Sequence, residues 1–196
     1  MTRLLPKLVV SIDTEEDSWG EFQTASHAVT NIRRLPDLQK LFDRFSIRPT
    51  YLVSYPVATD RESVGILRDL SSTGRCEIGA HLHPWNTPPL TEPLDPHHSM
   101  LCHLARDAQQ AKLENLTHAI EAAFGIRPRS FRAGRWGVHL SVAPHLQALG
   151  YLVDSSVCPY VDWSVYSGPD FSSVMVKDAW DSISIPLQGK EYYHVA

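Results

Sequence analysis

Apolar positions along the 196-residue chain recur with two periods, and their alternation predicts the architecture. Leu8-Val9-Val10-Ser11-Ile12 is a short β-rich run ending in the carboxylates Asp13, Glu15, Glu16 and Asp17, which predicts a buried strand delivering acids at its C-terminal end. From Asn31 to Phe45 the apolar residues Ile32, Leu35, Leu38, Leu41, Phe42 and Phe45 keep close to helical spacing. Pro49 to Ser54 reads as a second strand, Ser63 to Ser72 as a short helix closed by Gly74, and Cys76 to His81 as a third strand. Pro84 to His98, rich in proline and polar residues, predicts a long loop. The clearest helix runs from Ala105 to Phe124, with Ala108, Leu113, Leu116, Ile120 and Phe124 on one face and Gly125 as its stop. Arg129 to Arg132 is a short strand before a glycine-containing turn, Ala133 to Gly137. Ser141 to Leu149 is a helix ended by Gly150, and Tyr151 to Asp154 is a strand. Beyond Cys158 the chain is turn-rich, with one strand candidate at Ile183-Ser184-Ile185. Strands alternating with helices predict an α/β fold with a parallel sheet, as a barrel or a doubly wound sheet. In either case chemistry gathers at the C-terminal ends of the strands, where Asp13, Glu15, His81, His83, Arg132 and Asp154 all fall.

Composition narrows the function. Eighteen Lys+Arg against 22 Asp+Glu give a formal charge of −4 with no basic run, which argues against sequence-independent nucleic-acid binding. No apolar stretch approaches the roughly 18–20 residues that span a bilayer, and no signal-peptide core opens the chain, so neither a membrane span nor secretion is expected. Cys76, Cys102 and Cys158 are odd in number and widely spaced, which indicates neither a disulfide framework nor a paired-cysteine metal site and fits a reduced, cytoplasmic setting.

His81 and His83 stand two residues apart, so on an extended backbone both imidazoles face one side and can reach one ion. A carboxylate from a neighbouring strand would complete a two-histidine, one-carboxylate set with positions open for water and substrate. Asp13 and Glu15 share the same spacing; beside a cation, one would ligate and the other serve as base. Glu16 and Asp17 read as a solvated acidic turn. Arg132 could fix the base carboxylate, while Arg135 and Trp136 could line a polar or sugar-like substrate. Trp19, Trp85, Trp136 and Trp163 fall in loops or at strand ends, which suits a carbohydrate platform as well as plugs at the top of a barrel. His97, His98 and His103 read as structural or solvent-facing.

These residues resemble the polysaccharide deacetylase (NodB-homology) family of metal-dependent de-N-acetylases and related amidohydrolases, in order from about Val9 to Pro186. Ser11-Ile12-Asp13-Thr14-Glu15 is similar to the first family motif, which implies Asp13 as base and Glu15 as metal ligand. Glu77 to Pro84 resembles the histidine motif, implying His81 and His83 as ligands, although the family usually spaces its histidines four apart and Trp85 holds that position here. Phe131 to Gly137 is similar to the third motif, whose arginine, here Arg132, orients the base. Asp154 to Trp163 resembles the fourth, whose aspartate and tryptophan border the pocket. The family's last motif supplies a histidine acid; only His194 stands near the end, in a context that matches poorly. The resemblance implies a deformed (β/α) barrel, a single domain over residues 1–196 that is shortened or incomplete at its C-terminal end. It also implies a divalent metal such as Zn, with Co as another choice, and a carbohydrate or small-amide substrate. The rival reading is a barrel that binds a sugar or partner with only part of the site, or an amidohydrolase acting on a non-sugar C–N bond.

Overall fold

The computed structural model of the chain describes residues 8–173 and two further strands. Strands β1 (Ser11–Thr14), β2 (Thr50–Val53), β3 (Glu77–Leu82), β4 (Ser130–Ala133) and β5 (Val153–Val157) pair in parallel, in chain order. Strands β6 (Ile183–Pro186) and β7 (Tyr192–Tyr193) continue the sheet antiparallel beyond β5. The connections carry helices α1 (Leu35–Arg44), α2 (Tyr55–Thr59), α3 (Arg61–Ser72), α4 (Arg106–Phe124) and α5 (Ala143–Ala148). None of the described helices is long and apolar enough to cross a membrane.

The five parallel strands curl into a half-barrel. In a flat sheet β1 and β4 would stand three strand spacings apart, about 14 Å, with side chains perpendicular to the sheet. Yet Arg132 on β4 donates to Asp13 Oδ1 (2.8 Å) and Ser11 Oγ (2.7 Å) on β1, so the sheet bends until its first and fourth strands face each other. Ser11 and Asp13 are two apart and share this inner face, as the strand period requires. The curl is tight: a Cβ on Gly79, in the middle strand of the five, would lie 2.6 Å from Leu52 Cδ2 and 2.8 Å from the Ser130 carbonyl.

The outer face is the apolar one. Tyr51, Val53, Ile78, Ala80, Leu82, Phe131 and Ala133 alternate outward and pack against Leu67 and Leu70 of α3 and Leu113, Leu116 and Ile120 of α4. A partly buried helical stripe and a fully buried strand row thus meet in one core, which is why both periods were visible in the chain.

Element boundaries shift for physical reasons. The first strand includes Asp13 and Thr14 and leaves Leu8 exposed, because its register with β2 pairs Ser11 with Thr50 and Thr14 with Val53. The helix expected from Asn31 is a 3-10 turn over Thr30–Arg34 before α1, with a proline in the first turn of α1, where its missing N–H costs nothing. Helix α2 was not expected; Tyr55-Pro56 after Ser54 is a helix start that five residues leave too short for periodicity to reveal.

The loop after β3 is tied down by a buried lysine. Lys112 of α4 is fully buried, and its Nζ donates to the carbonyls of Pro84 and Thr87 (both 2.9 Å) and Pro89, and pairs with Glu92 at 2.9 Å. Lys112→Met is expected to destabilise the protein by about 3–5 kcal/mol in denaturant unfolding, since it strands a carboxylate and three carbonyls. A loss under 1 kcal/mol would show that the loop holds its shape without this clamp.

Candidate active site

The strand rows explain which side chains meet. Parallel neighbours in register share a face: Asp13 lies beside Leu52 and Gly79, and one step on, His81 lies beside Arg132. Asp13, His81 and Arg132 therefore all point into the curl, and Glu15, two residues beyond Asp13, joins them. His83 follows His81 by the same period.

Glu15, His81 and His83 converge with one ligand atom each, all within 4.8 Å of one another. His83 Nε2 lies 2.5 Å and His81 Nε2 3.3 Å from the same Glu15 oxygen, Oε2. His81 donates its Nδ1–H to the Arg132 carbonyl (3.1 Å), which fixes the ring and turns Nε2 to the cavity. His83 packs its ring against Trp85 (centroids 4.1 Å) and lies so close to Gly134 that a Cβ there would stand 2.1 Å from Nδ1. Burial opposes the ionised form of Glu15, but hydrogen bonds from His81 and His83 outweigh it and hold its carboxyl well below the usual range. Burial likewise opposes a charged His81, yet Asp13 and Glu15 push its pKa up. His83 is pushed down by burial and by the neighbouring His81. Two imidazole nitrogens and a carboxylate oxygen aimed at one point are the donor set of catalytic zinc sites, so the residues present fit a divalent cation.

Arg132 is the hub beneath this cluster. Besides Ser11 and Asp13, its Nε donates to Ser155 Oγ (3.2 Å) and its guanidinium lies 5.0 Å from the Trp136 ring centroid. Beside it opens a cavity of about 340 Å³ lined by the polar groups Asp13, Glu15, His81, His83 and Arg135 and by Met100, Ala133, Trp136, Trp163 and Tyr166. Arg135 and Trp136 both take left-handed backbone angles (φ 54° and 58°), unusual for non-glycine residues, and both line the cavity.

Three expectations need correction. Glu16 is not solvated: its carboxylate is buried and accepts from Asn86 Nδ2 (2.7 Å), Trp85 Nε1 (3.3 Å) and Ser54 Oγ (3.4 Å). It faces the loop after β3 on the side away from Glu15, whereas Asp17 is exposed and caps Thr30 and Asn31. Trp85 is no sugar platform, being buried between His83 and Phe22. Asp154 does not border the cavity, because it pairs with Phe131 and so belongs to the outer, core-facing row; its Oδ1 accepts from Ser156 N (3.0 Å) and Oγ (2.5 Å). The Trp19 side chain and His194 lie outside the described residues. Sequence reasoning missed Met100 and Tyr166, which long-range folding brings to the site and no local pattern marks.

No protein-family model matches the sequence. None of the curated proteins matches it either. Solved structures do. A Mycobacterium smegmatis protein assigned by name as a polysaccharide deacetylase superposes with a TM-score of 0.55 at 18% identity, over 76% of this chain and 50% of its own. The deacetylase domain of BpsB from Bordetella bronchiseptica gives 0.52 at 12% identity, over 77% of this chain and 64% of that one. IcaB from Ammonifex degensii gives 0.50 at 14% identity, over 77% and 60%. The chain has the polysaccharide deacetylase fold. It spans between half and two thirds of the length of these neighbours, and at such identities the likeness is one of fold. Within the polysaccharide deacetylase fold seen here, β1, β3 and β4 supply the acids, the histidines and the arginine of the cluster.

Burial pushes the Asp154 carboxyl up to about 6, against the pull of its Ser156 hydrogen bonds and of Arg132. The fold thus favours the protonated form, and the stability this gives below about pH 4 is lost as pH rises through about 6. Asp154→Asn, neutral at every pH, is expected to melt several degrees above the native protein at pH 8, on the order of 2 kcal/mol, and level with it near pH 4. A melting difference that does not change with pH would contradict the assignment.

Proposed function

We propose that the chain is a metal-dependent hydrolase of non-peptide C–N bonds, acting on an N-acetylated carbohydrate or a small amide of similar shape. The observation that carries this reading is the convergence of His81 Nε2, His83 Nε2 and Glu15 Oε2 beside a carboxylate, Asp13, that an arginine holds in place. Glu15, His81 and His83 would hold the ion, with Zn favoured by the donor set and Co compatible with it. When bound, such an ion supplies Lewis acidity at a carbonyl and lowers the pKa of water.

The protein's own groups do the rest. Arg132 ties up Oδ1 of Asp13 and leaves the carboxylate edged into the cavity, where it can accept a proton from water at the reacting carbon. Because Arg132 is itself held by Ser11 and Ser155, the base is fixed before substrate arrives. Trp136, Trp163, Tyr166 and Met100 offer an apolar wall on which the face of a sugar ring can lie, and about 340 Å³ is at the low end for small-molecule sites, which suits one ring at a time. Fold likeness to a protein named as a polysaccharide deacetylase and to the deacetylase domain of BpsB supports the same substrate class.

Elemental analysis of the purified protein is expected to find close to one divalent metal per chain after incubation with Zn²⁺, and His81→Ala is expected to abolish it. Asp13→Asn is expected to keep the metal while slowing acetate release from N-acetylglucosamine oligomers by about 10²–10⁴-fold. Failure to take up Zn²⁺ or Co²⁺ in excess would sink the hydrolase reading, as would metal retained at full stoichiometry by His81→Ala.

A further inference from the structure

Of the two arginines at the cavity, one has an acidic partner and the other does not. Arg132 is matched by Asp13 at 2.8 Å. Arg135, the one Arg or Lys among the described residues lining the cavity, has no carboxylate partner. Its Nη1 donates to Ser99 Oγ and to the Pro96 carbonyl (3.3 Å), and its Nη2 to the Tyr166 carbonyl (3.2 Å). The plane lies 5.3 Å from the Phe22 ring centroid. All of these partners are neutral. They fix the guanidinium without cancelling its charge, and they leave the Nε–H without a hydrogen bond among the described residues.

A partly buried cation without a counter-ion is costly, and burial accordingly works against the charged form of Arg135. The cost is borne by a segment that is also strained, since Arg135 sits at φ 54° next to Trp136 at φ 58°. A side chain needed only to staple Pro96 and Tyr166 would not need to be a cation at the cavity edge. An arginine whose orientation is preset and whose charge is unspent is a receptor for an oxyanion, which it can meet with a fork of N–H groups.

We infer that Arg135 is a specificity residue that selects substrates bearing an anionic oxyacid group, a carboxylate or a phosphate, attached to the ring that lies against Trp136. The inference rests on the hydrolase reading for the identity of the ring, and it deepens that reading by naming the charge of the substrate. A phosphate would come from a sugar phosphate and a carboxylate from a uronic acid, and the two sources are separable by probe.

The test is calorimetric titration of the full chain, treated with chelator so that no bound cation contributes. The probes are N-acetylglucosamine, N-acetylglucosamine 1-phosphate and 2-acetamido-2-deoxyglucuronate. One or both anionic probes are expected to bind at least about tenfold more tightly than the neutral sugar, the tighter one naming the source. Arg135→Gln is expected to erase that preference. In the native protein the preference is expected to shrink as ionic strength rises from 0.05 to 0.5 M, a readout that stands even where the variant folds poorly. Equal affinity for neutral and anionic probes, or a preference that survives Arg135→Gln, overturns the inference. If metal uptake and acetate release from neutral oligomers persist in that case, the hydrolase reading stands without it. An anion preference that depends on Arg135 in a protein that takes up no metal supports the anion site and overturns the hydrolase.

Discussion

The contact between Arg132 and the pair Ser11 and Asp13 joins the fourth strand to the first across the inside of the sheet, and the site depends on it. A guanidinium buried among polar strands would be unstable alone, and its partners on β1 are within reach only because the sheet curls. The curl in turn places His81, which shares a row with Arg132 and donates to its backbone carbonyl, opposite Glu15. One ion pair thus links the closure of the half-barrel, the orientation of the Asp13 carboxylate and the aim of a histidine. The glycine at 79 belongs to the same constraint, since the inner row has no room for a Cβ where the strands bend most closely together.

A second layer of buried polar groups holds the loop that carries His83. Lys112 grips the segment 84–92 from the helix side through three carbonyls and Glu92, while Glu16 grips Trp85 and Asn86 from the end of β1. Neither group reaches the cavity. They anchor the proline-rich loop from two sides next to His83, which lies one residue beyond β3. Here the anchoring comes from buried polar groups that are hydrogen-bonded, Lys112 to three carbonyls and Glu92, and Glu16 to three neutral donors.

Much of this was legible from residue order. The alternation of strand and helix, the acids at the end of the first strand, the His-x-His pair and the arginine before a glycine turn are local patterns, and each falls where its period puts it. What escaped was set by distance or by face. Asp154 reads like its neighbours as a strand-end acid, but a one-residue difference in register puts it on the outer row beside Phe131. Glu16 is indistinguishable in sequence from Asp17, and only the loop folding back from β3 decides that one is buried and the other wet. Met100 and Tyr166 stand far from the motifs in the chain and meet them through a fold that no window of sequence contains. Helix α2 was too short to show a period at all.

The central claim is that β1 and β3 build one divalent-metal centre from Glu15, His81 and His83. X-ray absorption at the zinc edge of the protein loaded with one equivalent of Zn²⁺ tests it most directly. The account predicts two imidazole nitrogens with oxygen donors at about 2.0–2.2 Å and no sulfur. A spectrum with thiolate ligation near 2.3 Å, or with oxygen donors and no imidazole, would place the metal elsewhere and contradict the site.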